Sequence, residues 1–499
     1  MRSKRLTRRS RISATAAATV LLTIGTTITA TSSPASAAPT AVAHDDFNGD
    51  GYPDLVVSAP GGTVSAMKGA GYVAVLYGSA SGISASRRAT FSLSTPGIQG
   101  LAQTNDHFGK VTASGDLDGD GYADLVVGMP GKDIGSATDA GAATVLFGSR
   151  TGLHGADSLW LQDDTPKEGD QFTLGLATGR FSASGTQLAV LTKTTMQTYF
   201  FEVTIDARRT SADADSLSSF SSQGPGDFQP AALTSGDYNN DGADDLVLLG
   251  TSSYYPAELY GMSLYLPGGP DGLPDGLHGA EISGGGPVGA SGDINRDGYT
   301  DLVVGSPTER DSGGNPSGAG VFFVQFGGPN GPGGPSGSNR QFWTQNSSGV
   351  PGVNKIGDAF GGAISVGDIN GDGYADAAIA APGNDIGTAT DAGTVWIFRG
   401  SATGLTTKGI RTLSQDISSV PGTAEKADQF GSALRLIDAN RDRRAGLVVG
   451  APGEDTNDGG AWVFSGTSSG LATSGSWWFN GAKLHAPSPD ARFGETLAP

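Results

Sequence analysis

Residues 108–130 read FGKVTASGDLDGDGYADLVVGMP: a phenylalanine–glycine pair, a short apolar stretch, an acidic loop, a second apolar run and a proline. In the loop, Asp116, Asp118, Asp120 and Asp124 stand at positions one, three, five and nine, with Gly121 at six and Tyr122 at seven. Leu125-Val126-Val127 follows at once, and Thr144-Val145-Leu146-Phe147 ends in Gly148 further on. Apolar runs this short, bounded by Gly, Asn and Asp and without helical periodicity, predict antiparallel strands.

The same block recurs along the chain in seven units, anchored at Asp46, Asp116, Arg180, Asp237, Asp293, Asp368 and Asp438 and spaced 70, 64, 57, 56, 75 and 70 residues apart. Length alone suggests several domains, but repeats of this period overrule it. The 80 glycines and 26 prolines fall in register with the apolar runs and so mark turns. Four short strands fill a unit of this size, which is one blade of a propeller. The fold class expected is all-β: a seven-bladed β-propeller with four-stranded antiparallel blades over residues 45–499.

The two ends of the chain carry the clue to closure. Phe108, Phe360 and Phe430 each stand eight residues before the first Asp of their loop, whereas nothing comparable precedes Asp46. The missing pair reappears as Phe493-Gly494, and joining Pro499 to Asp45 restores the offset. The N- and C-terminal segments are therefore expected to pair within one blade, leaving no free sheet edge.

The acidic loops carry the chemistry. The metal ligands expected are Asp46, Asn48, Asp50, Tyr52 and Asp54; Asp116, Asp118, Asp120, Tyr122 and Asp124; Asp237, Asn239, Asp241, Ala243 and Asp245; Asp293, Asn295, Asp297, Tyr299 and Asp301; and Asp368, Asn370, Asp372, Tyr374 and Asp376. The seventh residue of each contributes a backbone carbonyl. Alternating oxygens around a sharp glycine turn suit a hard cation with six or seven ligands, and a flexible, carboxylate-rich loop favours Ca2+ over Mg2+. Solvated turns use the same residues, but five loops of one spacing argue against that reading. Position twelve, a glutamate in an EF-hand, is Val57, Val127, Leu248, Val304 and Ile379 here, so the ninth-position Asp is expected to close each site. Arg180 begins a loop without acids; the loop at Asp438 has Arg443 in the glycine place and Gly446 at nine, so little or no metal is expected at either.

These residues resemble the FG-GAP repeat proteins, whose seven copies form the propeller of integrin α subunits and of many secreted bacterial proteins. Phe-Gly is literal at Phe108, Phe360, Phe430 and Phe493, and Gly-Ala-Pro at Gly450-Ala451-Pro452. The third to fifth units match least well: the third has Phe172-Thr173, the fourth lacks the proline and the fifth the opening phenylalanine. The resemblance implies the propeller fold and structural calcium at the five intact loops. It implies no ligand, since the chain has neither Arg-Gly-Asp nor an Asp-x-Ser-x-Ser adhesion motif.

Charge and composition narrow the function. The formal charge is −19, and no cysteine exists for disulfides or thiolate sites. Such a chain repels nucleic acid and anionic lipid. Six basic residues from Arg2 to Arg11, an apolar stretch over 12–30 and Ala35-Ser36-Ala37 predict an export signal over 1–37, followed by a short tail to 44.

Catalysis finds little support. Gly466-Thr467-Ser468-Ser469-Gly470 fits the hydrolase nucleophile pattern, yet Gly78–Gly82, Gly148–Gly152 and Gly400–Gly404 occupy the same repeat slot, which makes it a hairpin turn. The five histidines share no metal-ligand spacing. Trp160, Trp343, Trp477 and Trp478 either stack on sugar rings or pack between blades, and recurrence in one slot favours packing. The expectation is a secreted, monomeric, noncatalytic module that binds an extracellular protein or glycan. The alternative is an extracellular hydrolase or lyase acting on polysaccharide or phospholipid derivatives. An envelope structural component is disfavoured by the lack of a sorting signal before Pro499.

Overall fold

In the computed structural model the described residues are 45–193, 195–201, 212–217, 228–252, 260–274, 280–308, 318–334 and 339–498. The expected export signal over 1–37 and the tail to residue 44 lie outside them.

The chain forms seven four-stranded antiparallel sheets. Blades 2 to 7 span residues 111–161, 175–217, 228–282, 288–343, 363–413 and 433–479, each built from consecutive strands. Blade 1 takes three strands from residues 55–91 and its fourth from Leu497–Ala498 at the other end of the chain. Val56 and Val57 pair with Ala498 and Leu497, as the seam in the sequence requires.

Both faces of each blade are covered by a neighbour, so the central strands read as continuous apolar runs. Leu55–Ala59 is buried at every position. Its two-residue period sends Leu55, Val57 and Ala59 to the junction with blade 7 and Val56 to that with blade 2. Seven hydrophobic clusters result, one per junction. Trp160, Trp343, Trp477 and Trp478 pack, half-buried, against four of them.

The opening phenylalanines lock blades 2, 3, 6 and 7 each to the one before. The amides of Phe108, Phe172, Phe360 and Phe430 bond to Ala70, Ala140, Ala319 and Ala392, each at the end of the preceding blade's hairpin loop. The next residue there is a glycine with no room for a side chain: a Cβ on Gly393 would lie 2.2 Å from the Phe430 carbonyl. Phe493 repeats the contact across the seam, its amide bonding to Asp458 and that of Gly494 to Ser58 of blade 1. Its ring is fully buried between Phe479 of blade 7 and Tyr72 of blade 1.

The first described residue reinforces the closure. Asp45, 1% exposed, pairs with Arg435 of blade 7 and accepts the Ser114 hydroxyl of blade 2. The innermost strands of all blades line a central channel of about 640 Å³, dotted with Ser and Thr hydroxyls.

Candidate metal centres

Each acidic loop leads into the second strand of its blade, so the loops emerge together at one end of the channel. The loops share one framework. In blade 1, Asp46 accepts the amides of Asp50 at 3.2 Å and Gly51 at 2.7 Å, Asn48 accepts Asp50 at 2.8 Å, and Asp50 accepts Tyr52 at 3.1 Å. Asp237, Asn239 and Asp241 repeat these bonds, as do Asp293, Asn295 and Asp297. Asp368, Asn370 and Asp372 keep three of the four, and Asp116, Asp118 and Asp120 follow the same turn. The sixth residue is left-handed in each, with φ between 86° and 93° at Gly51, Gly121, Gly242, Gly298 and Gly373, which glycine adopts without strain. The short side chains thus fold back on their own backbone.

Asp116, Asp118 and Asp120 offer ligand oxygens that all lie within 4.8 Å of one another. Asp116 Oδ1 is buried without a hydrogen-bond partner, an arrangement that a cation resolves. A hard divalent ion fits this donor set: oxygen only, anionic, and on a loop able to add backbone carbonyls.

The ninth position does something the sequence reading did not anticipate. Asp124 stands outside that group of three, is fully buried, and accepts the amide of Leu117 at 2.9 Å and of Gly148 at 2.8 Å. Asp54 holds Phe47 and Gly78 in the same way, Asp245 holds Tyr238 and Gly268, Asp301 holds Ile294 and Gly327, and Asp376 holds Ile369 and Gly400. Each carboxylate therefore ties its loop to the end of the blade's third strand. Burial pushes Asp54 up to about 8, Asp301 to about 7, and Asp245 and Asp376 to about 6, against the pull of those amides. A divalent ion in the loop acts in the opposite sense.

The loops also bond to one another. The amide at position eight of one loop reaches the carbonyl at position one of the loop before: Ala123 to Asp46, Asp244 to Arg180, Thr300 to Asp237, Ala375 to Asp293 and Ala445 to Asp368. The acid-free third unit keeps its place this way, and Asp244 also accepts the Arg180 amide at 2.7 Å. The loop at Asp438 keeps the whole framework, with Asp438 accepting Asp442 and Arg443 and Asp442 accepting Arg444. It has no ninth carboxylate, and Arg443 adopts φ 69° where the others have glycine.

The serine-rich pattern at 466–470 is the turn of a hairpin, with the Thr467 hydroxyl bonded to the Gly470 carbonyl. Ser79, Ser149 and Ser401 make the same bond to Gly82, Gly152 and Gly404.

Residues 38–76, 108–146, 285–323 and 360–398 match the family model described as FG-GAP repeat. Integrin alpha-PS5 of Drosophila melanogaster is 31% identical over 118 residues, 23% of this chain and 11% of that protein. Integrin alpha-6 of Homo sapiens is 34% identical over 123 residues, 24% and 9% of the two lengths. Phosphatidylinositol-glycan-specific phospholipase D of Dictyostelium discoideum is 30% identical over 179 residues, 35% and 19%. The matched part thus spans less than a fifth of each of these relatives. No helix among the described residues is long and apolar enough to cross a membrane. Four matched repeats begin four of the seven blades and contain four of the acidic loops, so this chain carries FG-GAP repeats on a seven-bladed propeller fold.

Proposed function

We propose that this chain is a secreted, calcium-loaded propeller that works as a noncatalytic binding or adhesion module for an extracellular protein or glycan. The observation that carries the reading is the set of like-built acidic loops at one end of the ring, with three carboxylates converging in blade 2 and an orphaned oxygen on Asp116. Calcium is the structural cation, at the loops of blades 1, 2, 4, 5 and 6. Among the described residues, the strands of the seven blades run from Leu55 to Ala498.

At a free concentration ten times the dissociation constant, each ion stabilises the fold by about 1.4 kcal/mol, so five approach the margin of a whole domain. Elemental analysis of the purified protein is expected to find five loop ions. Chelation is expected to lower the melting temperature by about 7 °C. Replacing Asp118 and Asp120 together by Ala is expected to remove one ion. A protein that folds with no tightly held calcium sinks the proposal. Probing glycan and matrix-protein arrays with and without chelator then tests recognition, where binding lost on chelation is the expected result.

The likeness to phosphatidylinositol-glycan-specific phospholipase D favours a second reading, a hydrolase acting on phospholipid derivatives or polysaccharide. Turnover of such a substrate by the purified chain decides for it.

A further inference from the structure

At the channel end opposite the acidic loops, one slot recurs in blades 2, 6 and 7. An aspartate two residues before the locking phenylalanine, Asp106, Asp358 or Asp428, accepts the amide three residues before itself at 2.7, 3.1 and 2.6 Å. A second residue faces it from the loop after the blade's second strand: Lys132, Asn384 or Glu454. These three are equivalent by their backbones, since their carbonyls accept the amides of Gly141, Gly393 and Gly459 at 2.9, 2.9 and 3.0 Å.

The charge of the slot changes stepwise. In blade 2 the Lys132 ammonium lies 3.3 Å from Asp106 and donates to the Leu101 carbonyl at 2.7 Å and to Gln103 Oε1, a cation held in a buried nest of oxygens. In blade 6 the partner of Asp358 is neutral Asn384, and its side chain bonds to the carboxylate. In blade 7 the cation's place is taken by a second acid. Asp428 is 1% and Glu454 8% exposed, their loops are joined by a 3.1 Å bond from the Gly453 amide to the Asp428 carbonyl, and among the described residues neither makes an ion pair.

A third buried polar group stands at the slot. Gln415, 2% exposed, donates through Nε2 to Glu454 Oε2 at 2.6 Å, while its Oε1 is buried with no partner at all. Burial and the neighbouring Asp428, Asp455 and Glu425 push Glu454 up to about 7, against the Gln415 hydrogen bond. Two buried carboxylates and an unpaired amide oxygen form an acceptor-only set in the slot where blade 2 keeps its ammonium.

We propose that Asp428, Glu454 and the Gln415 amide oxygen bind one hard divalent cation of the calcium class in blade 7, at the end of the ring opposite the acidic loops. The ion replaces the ammonium of Lys132, and water completes its coordination. The site does not depend on occupancy of the loops.

Equilibrium dialysis of the full mature chain against about 1 mM calcium, the range of extracellular modules, tests this. Glu454→Lys restores the blade 2 pair and Glu454→Asn copies blade 6, so both supply a side chain that the slot already accepts elsewhere in the fold. Each variant is expected to bind one ion fewer than the unaltered chain. Because the loops are intact in all three proteins, the difference reads this site alone: a failure of the loops lowers every total equally. In chelator, Glu454→Lys is expected to melt above the unaltered chain, and calcium is expected to narrow or reverse that gap. Equal ion counts in all three proteins overturn the proposal. So does a melting advantage that calcium leaves unchanged, which assigns a shared proton to the slot instead. Should one variant fail to fold, the other carries the count.

Discussion

A chain cut before Phe493 is expected to lose most of its stability, melting at least about 10 °C lower or failing to accumulate as folded protein. The lost segment is seven residues long, yet it supplies the innermost strand of blade 1 and the lock between blades 7 and 1. Phe493 alone is buried against rings of both blades, and removing such a side chain costs about 3–5 kcal/mol. The cut also leaves a strand edge of blade 1 unpaired and takes away Glu495, which pairs with Lys110 of blade 2 and with Arg492. Since a domain's net stability is about 5–15 kcal/mol, these losses rival the total. Phe493→Ala is the graded control and is expected to fall between the cut and unaltered chains in a thermal melt. A cut chain that melts with the unaltered one sinks the account of ring closure.

Asp124→Ala is expected to destabilise the protein by about 2–6 kcal/mol in calcium and in chelator alike. The substitution leaves the amides of Leu117 and Gly148 buried without acceptors, at about 1–3 kcal/mol each. Asp120→Ala, on the exposed side of the same loop, is expected to matter only when calcium is present. Comparing denaturant midpoints of the two variants with and without chelator separates the roles: position five serves the ion, position nine serves the backbone. Equal and wholly calcium-dependent effects overturn that division.

The blade count, the seam and the loops were legible in the sequence because each is a repeated spacing, and repetition distinguishes a pattern from chance. Phe493-Gly494 was readable as the completion of Asp46 because three internal copies fixed the offset. The work of Asp124 was not, because its second partner Gly148 lies 24 residues on, and only strand pairing brings the two together. The third unit looked eroded from its missing acids, yet it forms a full blade. Its strands need apolar residues facing both neighbours, and Leu188, Ala189, Val190 and Leu191 provide them. Glu454 went unread for the opposite reason: it follows Pro452-Gly453 as Lys132 and Asn384 follow their own Pro-Gly, and its meaning lies in differing from them, which a search for repetition passes over.

The bonds between successive loops stop at two places. No such bond joins the second loop to the third among the described residues, and none is possible from the seventh to the first, where position eight is Pro53 and has no amide hydrogen. Main-chain bonds consequently link the loops in two arcs, one over blades 1 and 2 and one over blades 3 to 7. A partner resting on either arc meets loops tied to one another. One that straddles Pro53 meets a place where neighbouring loops can part or close without breaking a single main-chain bond between them.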